Sequence, residues 1–122
     1  MFSTDRIMEQ LVGVLPQGWT KTILFVNLTA SSHEVFFYTQ VNGKYIQCFE
    51  LCSISDITRG ELRKVFKAIC DIVREDWAEH GWSVLTLKIE ANGKFSADFS
   101  FDDISEKQLE YYEEWKKKYL CS

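Results

Sequence analysis

Apolar and polar positions change period several times along the 122-residue chain, and each change predicts an element. Ile7, Met8, Leu11, Val12 and Leu15 recur at helical spacing, so residues 3–15 read as a short helix that Pro16 and Gly18 stop. The next segment, WTKTILFVNLT, is rich in β-branched and aromatic residues and reads as a strand, as does HEVFFYTQ. Asn42-Gly43 is a two-residue hairpin signal, and it predicts a third strand from Lys44 to about Leu51. Helical spacing then returns over residues 58–80. Thr58 and Glu61 form a capping box, and Leu62, Val65, Phe66, Ile69, Val73 and Trp77 form the apolar stripe. Gly81 ends this helix. WSVLTLKIE sets Leu85, Leu87 and Ile89 on one face of a fourth strand, and Asn92-Gly93 predicts a second hairpin turn. KFSADFSF alternates, which predicts Phe95, Ala97, Phe99 and Phe101 facing inward and Ser96, Asp98 and Ser100 facing outward. Ser105 with Gln108 reads as another capping box, opening a last helix to about Tyr119. On that helix Leu109, Tyr112, Trp115 and Tyr119 are expected to dock on the sheet.

The order is α-βββ-α-ββ-α. Short turns make the neighbouring strands antiparallel, so the expected fold class is α+β, a five-stranded antiparallel sheet with helices packed on it. Residues 1–122 read as a single domain. The 46% hydrophobic and 15% aromatic content supplies material for one core. No apolar run approaches the ~20 residues a membrane span needs. The N-terminal stretch MFSTDRIMEQ has no basic segment followed by an apolar one, and the expectation is a cytoplasmic protein.

Four cysteines, Cys48, Cys52, Cys70 and Cys121, are expected as reduced thiols, with Cys48 and Cys52 on one face if both lie on a strand. Neither they nor the isolated His33 and His80 have zinc-ligand spacing, so no metal or cofactor is expected.

Charge is uneven. The formal net charge is −4, yet residues 90–114 hold eight acids and two lysines, so the remainder is slightly basic. A nucleic-acid binder needs a basic stripe, and the one short basic run, Lys116-Lys117-Lys118, sits where a helix end favours cations; direct nucleic-acid binding is not expected. The last helix has a largely acidic polar face, which argues against a lipid surface. Within ADFSFDDISEKQ, Asp98, Asp102 and Asp103 fall close together. Their spacing lacks the calcium-loop pattern, and no catalytic His, Cys or Lys accompanies them in a recognisable arrangement. Phosphate-loop, nucleophile-elbow, zinc-protease and dinucleotide fingerprints are absent, so the chain is read as a non-enzyme. Asp102 and Asp103 suit the start of a helix, and the same acids suit a binding face.

The GW before the first strand, EVFFYTQ, the region of Trp77 and Trp82, then GKFSADFSFDDIS and EEWKKKYL together resemble the YezG-like antitoxin and immunity proteins of bacteria. The resemblance spans nearly the whole chain. Its spacer between Ser105 and Trp115 is more acidic than the family pattern and lacks an Arg. What the resemblance implies is a cytoplasmic protein that binds and blocks the C-terminal domain of a toxin from a polymorphic or contact-dependent inhibition system, commonly a nuclease. A nuclease surface that holds phosphate is basic, so the acids Asp98, Asp102, Asp103, Glu106, Glu110, Glu113 and Glu114 are the candidate toxin-binding residues. The competing expectation is a small ligand-sensing or regulatory α+β domain with a pocket between helix and sheet. Oligomeric state is left open by the sequence.

Overall fold

A computed structural model describes residues 3–75, 77–104 and 106–120. Five strands, β1 (Trp19–Leu28), β2 (His33–Val41), β3 (Lys44–Gln47), β4 (Val84–Glu90) and β5 (Phe95–Ser100), form one sheet in the order β3-β2-β1-β4-β5. Every neighbouring pair is antiparallel. Helices α1 (Thr4–Val12), α2 (Leu51–Ile54), α3 (Arg59–Arg74), α4 (Trp77–His80) and α5 (Gln108–Leu120) complete the α+β fold expected from the sequence.

Central strand β1 is buried over its last seven residues, because both faces of the sheet are covered. Leu24, Val26 and Leu28 point to one side, into a core with Ile7 and Leu11 of α1 and Leu62, Phe66, Ile69 and Val73 of α3. Ile23 and Phe25 point to the other, where they meet Trp115 and Tyr119 of α5. Each large apolar side chain so buried contributes about 1.5–3 kcal/mol. Local signals agree with this packing. Ser3 and Thr58 hydroxyls accept the N–H groups of Arg6 and Glu61 at 3.3 and 3.1 Å, capping α1 and α3. Asn42 and Gly43 have φ of +54° and +78°, as a tight two-residue hairpin requires.

Several expectations are corrected. The third strand ends at Gln47, not near Leu51, because the Gln47 side chain accepts the Phe49 N–H at 2.7 Å and turns the chain into a 3₁₀ turn, Cys48–Glu50, and then α2. Cys48 and Cys52 therefore lie off the strand; Cys48 and Cys70 are buried free thiols, and Cys52 is half-buried. The long helix is two: α3 stops at Arg74, and α4 resumes at Trp77, whose indole N–H donates to the Trp82 carbonyl at 2.6 Å. Gly81, at φ +68°, ends α4. The second hairpin turn takes three residues, 91–93. Glu90 and Lys94 close it at 2.8 Å, and only Gly93, at φ +96°, adopts the left-handed step. The β5 alternation is real, but its inward reading fails for Phe95 and Phe101, which are 57% and 67% exposed, and for the exposed Ala97. β5 is an edge strand reaching past the helices, so only Phe99 packs inward, against Trp82. Leu109, at 81% exposed, does not dock α5.

Candidate functional site

The side of the sheet that bears Asp98 is the one α5 crosses, so the outward face read from the sequence is in fact the floor of a second interface. An aromatic cluster holds the helix there. Phe25 stacks on Phe36 with ring centroids 4.5 Å apart, and the Trp115 and Tyr112 rings meet Phe25 edge-on at 5.6 and 5.4 Å. Such pairs add about 0.5–1.5 kcal/mol beyond area burial. Three hydrogen bonds orient the aromatics. Trp115 Nε1 donates to Thr86 Oγ1 on β4 at 2.9 Å, Tyr119 Oη donates to Asp98 Oδ2 on β5 at 2.8 Å, and the Tyr112 hydroxyl donates to the Glu34 carboxylate on β2.

Beside this cluster, between β4, β5 and α5, lies a cleft of about 280 Å³. Its walls include Asp98, Asp102 and Glu114, with Lys118, Tyr111 and Tyr119 among them. Three of the seven candidate acids are thus brought to one place. Asp102 is fixed by its backbone: the Ser83 hydroxyl donates to its carbonyl at 2.5 Å, and its N–H reaches Ser100 Oγ at 3.3 Å. Glu113 turns away toward Lys116, 3.7 Å distant. Glu106, Glu110 and Asp103 are exposed outside the cleft walls. The helix begins at Gln108, later than the capping-box reading requires; Ser105 lies outside the described residues. Asp102 and Asp103 precede the first turn by too many residues for the dipole role assigned to them, whose reach is about one turn.

Electrostatically the cleft is mixed rather than uniformly acidic. Lys88 and Lys118 lie 5.5 and 5.2 Å from the Tyr119 ring centroid, close enough for cation–π attraction. Burial pushes the Tyr119 phenol up to about 12, with its hydrogen bond to Asp98 adding to the shift. Burial likewise raises Tyr112, reinforced by Glu34, and raises Tyr111. These phenols stay protonated at neutral pH, and those of Tyr112 and Tyr119 donate. Tyr119 docks as expected, but its bond to Asp98 and the roles of Thr86, Lys88 and Lys118 were missed in the sequence. The one available signal was the unbroken apolar run Ile23-Leu24-Phe25-Val26 in β1, which alternation on a one-sided sheet would have interrupted. Among the described residues no group of His, Cys, Asp and Glu could hold a metal ion, and no helix is long and apolar enough to cross a membrane.

The sequence model of the YezG-like immunity proteins matches residues 4–121, which takes in every element of the sheet and all five helices. The chain belongs to the YezG-like immunity protein family. It is 27% identical over 125 residues to the immunity protein YezG of Bacillus subtilis strain 168, covering 93% of this chain and 83% of that one. It is 26% identical over 113 residues to the immunity protein YezG of Bacillus spizizenii, covering 86% and 70%. In this YezG-like chain the stretches GKFSADFSFDDIS and EEWKKKYL, part of the resemblance, supply the edge strand, the covering helix and, with Val84 and Thr86 of β4, walls of the cleft.

Proposed function

We propose that this chain is the immunity half of a toxin–immunity pair. In this reading it works in the cytoplasm, without catalysis, by binding the C-terminal domain of a cognate nuclease toxin and covering its substrate-binding surface. The observation that carries the reading is the family match across residues 4–121. The chemistry of the α5 side supports it. Glu106, Glu110, Glu113 and Glu114 stand exposed on or just before α5, and Asp98, Asp102 and Asp103 are exposed beside them. A nuclease presents cations where it holds phosphate, and acids on a rigid scaffold meet them without reorganising. Thr86 and Asp98, on the floor of the cleft, are spent on holding α5, which fits a binding scaffold better than a reaction centre.

The test is co-expression with the product of the adjacent upstream gene, whose C-terminal domain this reading makes the toxin. The expected outcome is a co-purifying complex in which cleavage of DNA or RNA by the toxin domain is blocked at stoichiometric inhibitor. A toxin domain that neither binds the chain nor loses activity in its presence overturns the proposal.

A further inference from the structure

We propose that the first half of β2 is a docking edge for an extended segment of a partner protein, one that carries an apolar side chain and a carboxylate two residues apart. The backbone comes first. Leu28 N–H donates to the Ser83 carbonyl and Ala91 N–H to that of Thr20, both at 2.9 Å. Direction alternates along an antiparallel strand, so the even-numbered residues of β1 face β4 and the odd-numbered ones face β2. Phe25 lies opposite Phe36 and Asn27 opposite Glu34, so the even-numbered residues of β2 bond back to β1. His33, Val35 and Phe37 then direct their N–H and C=O groups to the other side, where β3 belongs. Yet β3 pairs only with Tyr38–Val41. Past Gln47 the chain turns into the 3₁₀ turn, and Cys48 closes against the Phe37 backbone. His33 and Val35 are left with no strand alongside.

A groove of about 540 Å³ occupies the place of the missing strand. It runs along residues 33–36, and Phe49, Phe66 and Arg63 face them. An open edge is normally guarded by lysine, proline or a bulge. The stretch HEVF has no lysine or proline, and its register to β1 is unbroken. Its one acid, Glu34, is turned to the α5 side, where it accepts the Tyr112 hydroxyl.

The walls select the segment. A residue opposite Val35 in an added strand shares the face of Val35, the side packed by α3. There the buried Phe66 and the Phe49 ring, with centroids 6.1 Å apart, offer an apolar wall. Arg63 is exposed and forms no ion pair among the described residues, and the Arg59 guanidinium lies 5.2 Å from the Phe49 centroid. With Glu34 turned away, this side of the groove is cationic. A side chain two residues along the added strand returns to the same face, so a carboxylate there meets Arg63 and a lysine is repelled. Main-chain bonds supply the affinity of such strand addition, and the two side chains supply the choice. The edge lies on the β3 side of the sheet, opposite the β5 edge that carries Asp98, and the inference does not rest on the toxin reading.

Amide NMR of the full chain tests it. The probe is the capped pentapeptide Thr-Val-Thr-Glu-Thr, set against a copy with lysine for glutamate and a copy N-methylated at valine. The glutamate peptide is expected to shift the His33 and Val35 amides and to slow their hydrogen exchange, saturating in the millimolar range. N-methylation removes a pairing N–H and is expected to weaken binding at least about fivefold, the weight of one hydrogen bond. The lysine peptide is expected to bind more weakly by a similar factor. Arg63→Glu, at an exposed position, is expected to reverse that preference. A glutamate peptide that leaves both amides unmoved, equal binding of the N-methylated copy, or a charge preference unchanged by Arg63→Glu overturns the proposal.

Discussion

Tyr119 and Asp98 tie the last helix to the last strand: the phenol donates to the carboxylate at 2.8 Å, over a chain separation of 21 residues. The bond needs the phenol's proton, and burial together with this contact holds that proton up to high pH.

Alkaline stability follows from this contact. Folding raises the Tyr119 pKa to about 12 from an ordinary 10, so the folded state keeps a proton that the unfolded chain loses. The contribution is complete below pH 10 and is lost as pH rises from 10 through 12. Urea midpoints of the wild type should be lower at pH 11 than at pH 9. Tyr119→Phe should flatten part of that decline, while at pH 7 it costs about 0.5–1.5 kcal/mol for the lost hydrogen bond. An unchanged slope in the variant would place the alkaline loss elsewhere.

Trp115 is a residue of the fold. It is 3% exposed, meets Phe25, Phe36 and Tyr38, and satisfies the buried Thr86 hydroxyl. Trp115→Ala should destabilise by about 3–5 kcal/mol in chemical denaturation. Trp115→Phe keeps most of the ring contact and removes the bond to Thr86, so it should cost about 0.5–1.5 kcal/mol. Wild-type melting combined with lost toxin binding would assign Trp115 to the interface instead.

Charge reversal tests the acidic surface. Asp98 is unsuitable, since its substitution also breaks the Tyr119 contact; Glu106, Glu110 and Glu114 are exposed. Glu106→Lys, Glu110→Lys and Glu114→Lys together should slow toxin association while barely shifting the melting temperature. Association of the wild type should slow with added salt, as the screening length falls from about 10 Å at 0.1 M to about 3 Å at 1 M. Stopped-flow kinetics across a salt series reads both effects. Salt-independent association, with full affinity in the triple variant, would remove these acids from the interface.

Thiol chemistry gives a fourth expectation. Burial raises both Cys48 and Cys70 to about 11, and both side chains are enclosed. Neither is a thiolate at neutral pH, so a disulfide reagent should modify them only at the rate of unfolding. Adding denaturant should release them together. Rapid labelling of either one in the native protein would contradict the core packing.

What could be read from the sequence was governed by how local each signal is. Asn42-Gly43 specifies its turn through backbone dihedrals alone, and Thr58 caps α3 with a neighbour three residues away, so both were legible. The end of β3 was not, because Gln47 ends it through a side-chain bond that no apolar pattern records. Phe95 and Phe99 share a parity, yet one is exposed and the other packs on Trp82; the difference depends on where the covering elements stop. The cleft is harder still. Thr86 and Trp115, or Asp98 and Tyr119, meet only once α5 folds back over β4 and β5, and nothing in either segment names the other.

The aromatic floor of Phe25, Phe36 and Tyr38 comes from β1 and β2, but its cover, α5, follows β5 in the sequence. The two sides of the sheet are thus closed by different stretches of the chain, α1 and α3 on one and α5 on the other. Removing α5 would leave a nearly complete sheet with its aromatic side open to solvent and to other chains. One helix therefore separates a sticky sheet from a covered one.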